Sequence, residues 1–212
     1  MQSIILDFDG TIGDTRSLIV STMQQTIAEL GLPGRTDDEC AATIGLPLRQ
    51  AFTDLLSIDD EVGERCAQTY SRIFDRDNTE GRVTIFPGVR QTIEEMHRRG
   101  LLVTIASSRS RGSLEGFVDS MGLRPCIPYI VSANDVEHAK PAPDMVLLTL
   151  RDNGLRPEDA MVVGDTVFDI LMARAAGVRS VGVTYGNGTP TDLRKAGADH
   201  VIDHFADLLR LL

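Results

Sequence analysis

Acidic residues follow two hydrophobic runs, where buried strands would place them at the edge of a sheet. In "SIILDFDGT" Asp7 and Asp9 follow the first run, and in "AMVVGDTVFD" Asp165 and Asp169 follow a later one. Because burying unpaired carboxylates is costly, such a cluster predicts a neutralising cation. Oxygen ligands of this kind suit Mg²⁺, which binds a few carboxylates and keeps water or phosphate oxygens in its remaining positions.

The same acids, with a lysine and several hydroxyl groups, could carry out phosphoryl transfer. One aspartate can attack phosphorus, and a second one two residues on can act as a general acid and base. Lys140 supplies positive charge, and the hydroxyl of Ser107 can bind phosphoryl oxygens. Gly10 lets the backbone approach a ligand, and Thr11 adds another hydroxyl. This set of groups predicts metal-assisted phosphoryl transfer.

Alternating strands and helices would position these residues. The segments "LLVTIA", "PYIVSA", "AMVVGD" and "SVGVTYG" are typical of buried strands, and amphipathic helical segments separate them. This alternation predicts an α/β fold, a Rossmann-like parallel sheet with helices on both faces. Ligands bind at the carboxyl ends of such strands, and Asp7, Ser107, Lys140 and Asp165 all follow predicted strands.

Residues 16–78, within an insertion expected over residues 14–81, have a different pattern, with apolar residues three and four positions apart and several glycine and proline breaks. The pattern predicts several helices and no strand. We therefore expect a helical domain inserted after the first strand, and an α/β core formed by residues 1–13 and 82–212. The hinges are expected near residues 12–16 and 78–86.

Composition excludes several classes of function. The 212 residues carry a formal net charge of −10, which argues against nucleic acid or an anionic membrane surface as a partner. The three cysteines lack the spacing of a metal site or disulfide framework. No apolar run is long enough to span a membrane, and no secretion signal is evident, so a cytoplasmic location is expected. Composition leaves the choice between monomer and homodimer open.

Four motifs in order resemble those of the haloacid dehalogenase superfamily. They are "DFDGT" at residues 7–11, Ser107 in "TIASS", Lys140 in "KPAPD" and "GDTVFD" at residues 164–169. The resemblance covers essentially the whole chain, since the intervening elements match as well. It implies a core with the predicted α/β architecture and Mg²⁺ as the cofactor.

The resemblance also implies a role for each motif residue. Asp7 would be the nucleophile and Asp9 the acid and base, while Ser107 and Lys140 would hold the phosphoryl group. The implied metal ligands are Asp7, the backbone carbonyl of Asp9, Asp165 and Asp169. The helical insertion is similar to the small cap that closes over the active site in this family, where it excludes water.

Within the superfamily, "IGLPLRQAF" and "VTYGNGT" look most like phosphoglycolate phosphatases and related pyrophosphatases. One motif departs from those relatives, because their Thr-Asn-Lys is replaced by Ser107-Ser108-Arg109. Ser108 remains a candidate substrate contact. In the insertion, Arg49 is a candidate reader of a substrate carboxylate or phosphate, since arginine pairs with both, although a solvated helix arginine is an equal alternative.

Three functions are compatible with these motifs. The first is a Mg²⁺-dependent phosphatase that acts on a small phosphorylated metabolite through a phospho-aspartyl intermediate, with phosphoglycolate or pyrophosphate as candidate substrates. The second is a sugar-phosphate mutase similar to β-phosphoglucomutase, in which a sugar hydroxyl takes the place of water. A non-catalytic binding module is disfavoured, because all four charged motif residues are present: Asp7, Asp9, Lys140 and Asp165.

Overall fold

The computed structural model describes residues 1–79 and 82–212, and a parallel sheet lies at its centre. The strands are β1 (Ser3–Leu6), β2 (Gly13–Asp14), β3 (Thr84–Ile85), β4 (Leu102–Ser107), β5 (Tyr129–Ser132), β6 (Ala160–Gly164), β7 (Arg179–Val183) and β8 (His200–Ile202). Six of them form one sheet in the order β5-β4-β1-β6-β7-β8, with every pairing parallel. The predicted α/β architecture is confirmed.

Helices cover both faces of this sheet. The helices are α1 (Arg16–Glu29), α2 (Asp37–Ala41), α3 (Leu48–Leu56), α4 (Asp60–Asp77), α5 (Val89–Arg98), α6 (Arg111–Ser120), α7 (Asp144–Asp152), α8 (Val167–Ala175) and α9 (Pro190–Ala196). Side chains alternate along β1, so Ile4 and Leu6 pack with α5 and α6, while Ile5 packs with α7 and α8 on the other face. Burial on both faces explains the continuous apolar runs of these strands.

Helices α1 to α4 follow one another between the first strand and the rest of the sheet, and we call residues 16–77 the helical segment. Asp59 caps α4, since its side chain accepts a hydrogen bond from the backbone N–H of Val62. Phe52 of α3 meets Tyr70 of α4 edge to face, and Tyr70 stacks on Phe74 of the same helix. The chain enters and leaves the segment next to the antiparallel pair β2–β3. The predicted boundary at residue 81 lies outside the described residues.

Three elements were not predicted from sequence. Strands β2 and β3 have two residues each, too few to display alternation. Helix α9 follows Thr189, which accepts a hydrogen bond from the backbone N–H of Asp192, so a capping signal was present in "GTPTD". The predicted terminal helix is a 3₁₀ helix over Phe205–Arg210. Within the described ranges, no helix combines the length and apolar character needed to cross a bilayer.

Candidate active site

The carboxyl ends of three neighbouring strands bring the predicted site together. Strand β1 lies between β4 and β6, and Leu6 is in register with Ile105 on one side and Val163 on the other. Asp7 follows β1, Ser107 ends β4, and Asp165 follows β6. The chain turns away from β1 at Gly10, whose φ of 80° lies in the left-handed region that favours glycine.

Lys140 lies at the centre of a buried ion cluster. Its Nζ donates hydrogen bonds to Oδ1 of Asp7 and to Oδ1 of Asp169, each over 2.6 Å. All three side chains are almost completely buried. Asp169 is fixed further by Thr166, whose backbone N–H and hydroxyl both donate to its Oδ2. Such pairing is required, because a buried charge without a partner is strongly destabilising.

Asp165 is held by donors from two different loops. Its Oδ1 accepts a hydrogen bond from the Thr11 hydroxyl, and its Oδ2 accepts two from Asn187, through the backbone N–H and the side-chain amide. Gly10 packs directly against this carboxylate, and a Cβ at Gly10 would overlap the Asp165 side chain. The glycine in "DFDGT" is therefore needed for close packing as well as for its backbone conformation.

The acidic cluster fits a divalent cation. Asp7, Asp165 and Asp169 each offer a carboxylate oxygen, and these atoms lie within 4.8 Å of one another. Three carboxylates face one lysine, which leaves excess negative charge in a buried region. In addition, Oδ2 of Asp7 is buried with no hydrogen-bond partner among the described residues. An all-oxygen donor set with an unpartnered oxygen is the chemistry that Mg²⁺ requires.

Burial perturbs the titration of this cluster. Burial raises the pKa of Asp7 to about 7, although the charge of Lys140 opposes this shift. Burial, followed by repulsion from Asp169 and Asp7, raises the pKa of Asp165 well above its usual value. For Lys140, burial acts against the charged form, but Asp169 and Asp7 outweigh it and hold the lysine pKa above its ordinary value. A bound cation would relieve the repulsion among the acids.

Asp9 is held by partners different from those of this cluster. The Nε of Arg109 donates to both oxygens of Asp9, over 2.8 and 2.7 Å, and the Thr15 hydroxyl donates over 2.7 Å. The guanidinium of Arg109 also lies against aromatic rings, 4.7 Å from the ring centre of Phe74 and 5.1 Å from that of Phe117. Asp9 is thus fixed at the border between the ion cluster and the helical segment.

A cavity of about 180 Å³ opens beside Asp7 and Asp9 and extends beneath the helical segment. We call it the inner cavity. Its apolar wall comes mainly from the helical segment and includes Ile19, Met23, Ile44, Leu46, Leu48 and Ala51. Ser107, Ser108 and Arg109 line the side formed by the sheet. The charged residues among its described lining are Asp7, Asp9, Asp75 and Arg109.

Four predicted substrate contacts occupy different places. Ser108 lines the inner cavity, but its hydroxyl donates to the carbonyl of Gly45 in the helical segment over 2.6 Å. The hydroxyl of Thr11 is likewise engaged by Asp165, and Gly10 packs on that same carboxylate. Arg49 is largely exposed, pairs with Asp60 and does not line the inner cavity. Of these four residues, only Ser108 touches the inner cavity.

Sequence reasoning missed several residues that complete the site. Arg109 was noted only as a departure from a motif, yet it binds Asp9. Asn187 donates a hydrogen bond to Asp165, whereas the segment "YGNGT" served only as a resemblance to relatives and did not predict that contact. Thr15 occupies the N-cap position of α1, but its hydroxyl donates to Asp9 and makes no capping hydrogen bond. These contacts join distant parts of the chain, so local patterns do not reveal them.

The known proteins that this chain resembles are hydrolases and phosphatases. The profile described as haloacid dehalogenase-like hydrolase matches residues 4–183. "Probable phosphatase IndB" of Dickeya dadantii is 32% identical over 209 residues, covering 97% of this chain and 91% of that protein. Pyrophosphatase PpaX of Oceanobacillus iheyensis is 28% identical, covering 100% and 97%. A crystal structure of a haloacid dehalogenase-like hydrolase from Bacteroides fragilis superposes with a TM-score of 0.92 at 29% identity, covering 98% and 100%.

Proposed function

The chain belongs to the haloacid dehalogenase-like hydrolase family, and from that premise we propose that it is a Mg²⁺-dependent phosphatase of small phosphorylated metabolites. The observation that carries this proposal is the unpartnered, buried Oδ2 of Asp7 beside the cluster of Asp165, Asp169 and Lys140. This oxygen faces a site with excess negative charge, where a cation and a phosphoryl group would complete its contacts.

Asp7 is the nucleophile in this proposal. One of its carboxylate oxygens forms a bond to phosphorus as the bond between phosphorus and the leaving oxygen breaks, which produces a phospho-aspartyl enzyme. Lys140 holds the other oxygen, as its 2.6 Å hydrogen bond to Oδ1 supports, and so fixes the orientation of the carboxylate. The hydroxyl of Ser107, at the end of β4, lines the inner cavity and binds phosphoryl oxygens.

Asp9 moves the protons of both half-reactions. It donates a proton to the leaving oxygen in the first step, and accepts one from the attacking water in the second. Arg109 and Thr15 keep its carboxyl group at the border of the inner cavity, where the leaving group would lie. Asp9 shares no hydrogen-bond partner with the ion cluster, and Asp7 is the acid that faces phosphorus.

Asp7, Asp165, Asp169 and the backbone carbonyl of Asp9 would hold the Mg²⁺ ion. When bound, the ion neutralises charge on the phosphoryl oxygens. Thr11 and Asn187 orient Asp165, and Thr166 orients Asp169, so the ligands are already fixed by hydrogen bonds. Such supporting contacts strengthen a metal site.

Residues 14–81 form the cap domain of the proposed enzyme, and residues 1–13 and 82–212 form its core. The hydrogen bond from Ser108 to the Gly45 carbonyl and the inner cavity between the two parts support this division. A cap seated in this way would exclude water during the first half-reaction and admit one molecule for the second. Phosphoglycolate and pyrophosphate are the first substrates to test, given the motif resemblance and the PpaX relative.

Phosphate release with Mg²⁺ tests the proposal directly. A panel of an aryl phosphate, phosphoglycolate, pyrophosphate and β-glucose 1-phosphate would be assayed with the unmodified protein, Asp7→Asn and, as a matched control, Asp54→Asn at an exposed position. The expected result is release that needs Mg²⁺, is lost in Asp7→Asn and persists in Asp54→Asn. Conversion of β-glucose 1-phosphate to the 6-phosphate without release would indicate the mutase, and release by Asp7→Asn would overturn the proposed nucleophile.

A further inference from the structure

The inner cavity constrains the group that leaves with the phosphate-bearing oxygen. It opens beside the proposed nucleophile and the proposed acid, and it extends under the helical segment. A substrate whose phosphorus approaches Asp7 from this cavity places the remainder of the molecule in or across it. The part of the cavity lining beyond Asp7 and Ser107 consequently acts on the leaving group.

No free positive charge is available in the described lining of the inner cavity. Arg109 is the one basic side chain there, and its Nε is bound to both oxygens of Asp9. Its Nη1 donates to the Ser113 hydroxyl over 3.0 Å, and aromatic rings lie against the guanidinium. The remaining charged residues of the lining are acidic: Asp7, Asp9 and Asp75.

The wall contributed by α1, α3 and the residues between them is mostly apolar. Ile19, Met23, Ile44 and Ala51 are buried there, and Leu48 is half-buried. A carboxylate or second phosphate in this space would lose its hydration and find no free cation, because the remaining polar groups of the described lining are neutral hydroxyls. An uncharged group would lose far less on entering, and it would gain apolar contacts.

We propose that the substrates of this enzyme are phosphomonoesters whose leaving group is small and uncharged. This inference rests on the proposed phosphatase activity and narrows its substrate class. It ranks phosphoglycolate and pyrophosphate as poor substrates, because each would bring a second anionic group into the inner cavity. The departure of this chain at Ser107-Ser108-Arg109 accords with it, since Arg109 is engaged by Asp9.

Matched substrate pairs test the proposal. Phosphoglycolate would be compared with its amide, which has nearly the same shape without the carboxylate charge, and 4-carboxyphenyl phosphate with phenyl phosphate. For each pair that is hydrolysed, we expect kcat/KM of the uncharged member to exceed that of the charged member by at least about tenfold. Equal or faster hydrolysis of the charged member would overturn the inference and leave the phosphatase proposal intact. Hydrolysis of none of the four would overturn both.

A charge introduced into the cavity wall provides a second test. Leu48→Lys places an ammonium group at a half-buried lining position, and it should lower the preference for the uncharged member by about tenfold. Leu147→Lys is the matched control, since Leu147 is 46% exposed on α7 and outside the cavity lining; its preference should equal that of the unmodified protein. The preference is a ratio, so a general loss of activity does not affect it. An unchanged ratio in Leu48→Lys would contradict the role assigned to the cavity.

Discussion

The two halves of the candidate site differ in how their side chains are held. Around Asp7, every charged group is buried and bound: Lys140 joins two acids, and the partners of Asp165 come from distant loops. Beneath the helical segment, the inner cavity is mostly apolar and contains the single ion pair of Arg109 with Asp9. The ion cluster suits a cation and a phosphoryl group. The inner cavity disfavours a second anionic group, because its described lining has no free cation. In the proposed enzyme, the nucleophile and the metal ligands belong to the first half, and the contacts with the leaving group belong to the second.

Substitution of Asp7 should have the largest effect, because it removes the proposed nucleophile. Asp7→Asn is expected to lower phosphate release by about three orders of magnitude or more. Thermal unfolding of the same variant should show an intact fold, since asparagine keeps the size of the side chain and removes a buried charge. Activity within tenfold of the unmodified protein would contradict the assignment.

Removal of Lys140 should damage stability as well as activity. Lys140→Ala leaves Asp7 and Asp169 without their shared cation, and the free energy of unfolding should decrease by about 3 kcal/mol in metal-free buffer. Lys195→Ala is the matched control, because the Lys195 side chain is 75% exposed, and it should change stability very little. Denaturant unfolding measures both. Equal stability of the two variants would show that the buried cluster does not depend on Lys140.

Arg109 joins the two halves, so its replacement should lower the rate and also the free energy of unfolding, because it leaves the nearly buried Asp9 without its partner. Arg109→Met frees Asp9 from its ion pair, and kcat should fall by about a hundredfold. Arg109→Lys should recover part of this loss, since it restores the charge but lacks the planar donor geometry. Arg151→Met, at a mostly exposed position, serves as the control. A kcat unchanged in Arg109→Met would show that Asp9 needs no positioning.

Magnesium should raise the free energy of unfolding by somewhat less than Lys140→Ala lowers it, and the increase should depend on pH. At a concentration one hundred times Kd, a bound ion adds about 2.7 kcal/mol to the free energy of unfolding. Burial raises the pKa of Asp7 to about 7, so the protonated folded form is favoured below that pH and a proton must leave before metal binds. The increase in melting temperature should therefore be larger at pH 8 than at pH 6. Equal increases at both pH values would contradict this coupling.

The fold and the polar half of the site could largely be predicted from sequence. Strand runs and the residues that follow them are local patterns, and parallel strands bring their carboxyl ends to one edge. This reasoning brought Asp7, Ser107 and Asp165 to the same rim. It could not find Asn187 as the partner of Asp165, because that contact depends on how a loop after β7 turns back.

The apolar half could not be predicted in the same way. Residues such as Met23 and Ile44 have the spacing of ordinary core residues, and only the packing of the helical segment on the sheet leaves a cavity between them. Arg49 was the candidate substrate reader because arginine binds anions, yet it pairs with Asp60 on an exposed surface. A helical pattern places a residue on a face, but it does not show what that face covers.

Direct detection of the phosphorylated residue tests the central claim most closely. The protein would be mixed with phenyl phosphate and Mg²⁺, quenched in acid within one turnover and digested, and its peptides analysed by mass spectrometry. We expect one phosphoryl group on the peptide that contains Asp7, and none in Asp7→Asn. A phosphoryl group on another residue, or rapid phosphate release by Asp7→Asn, would contradict it.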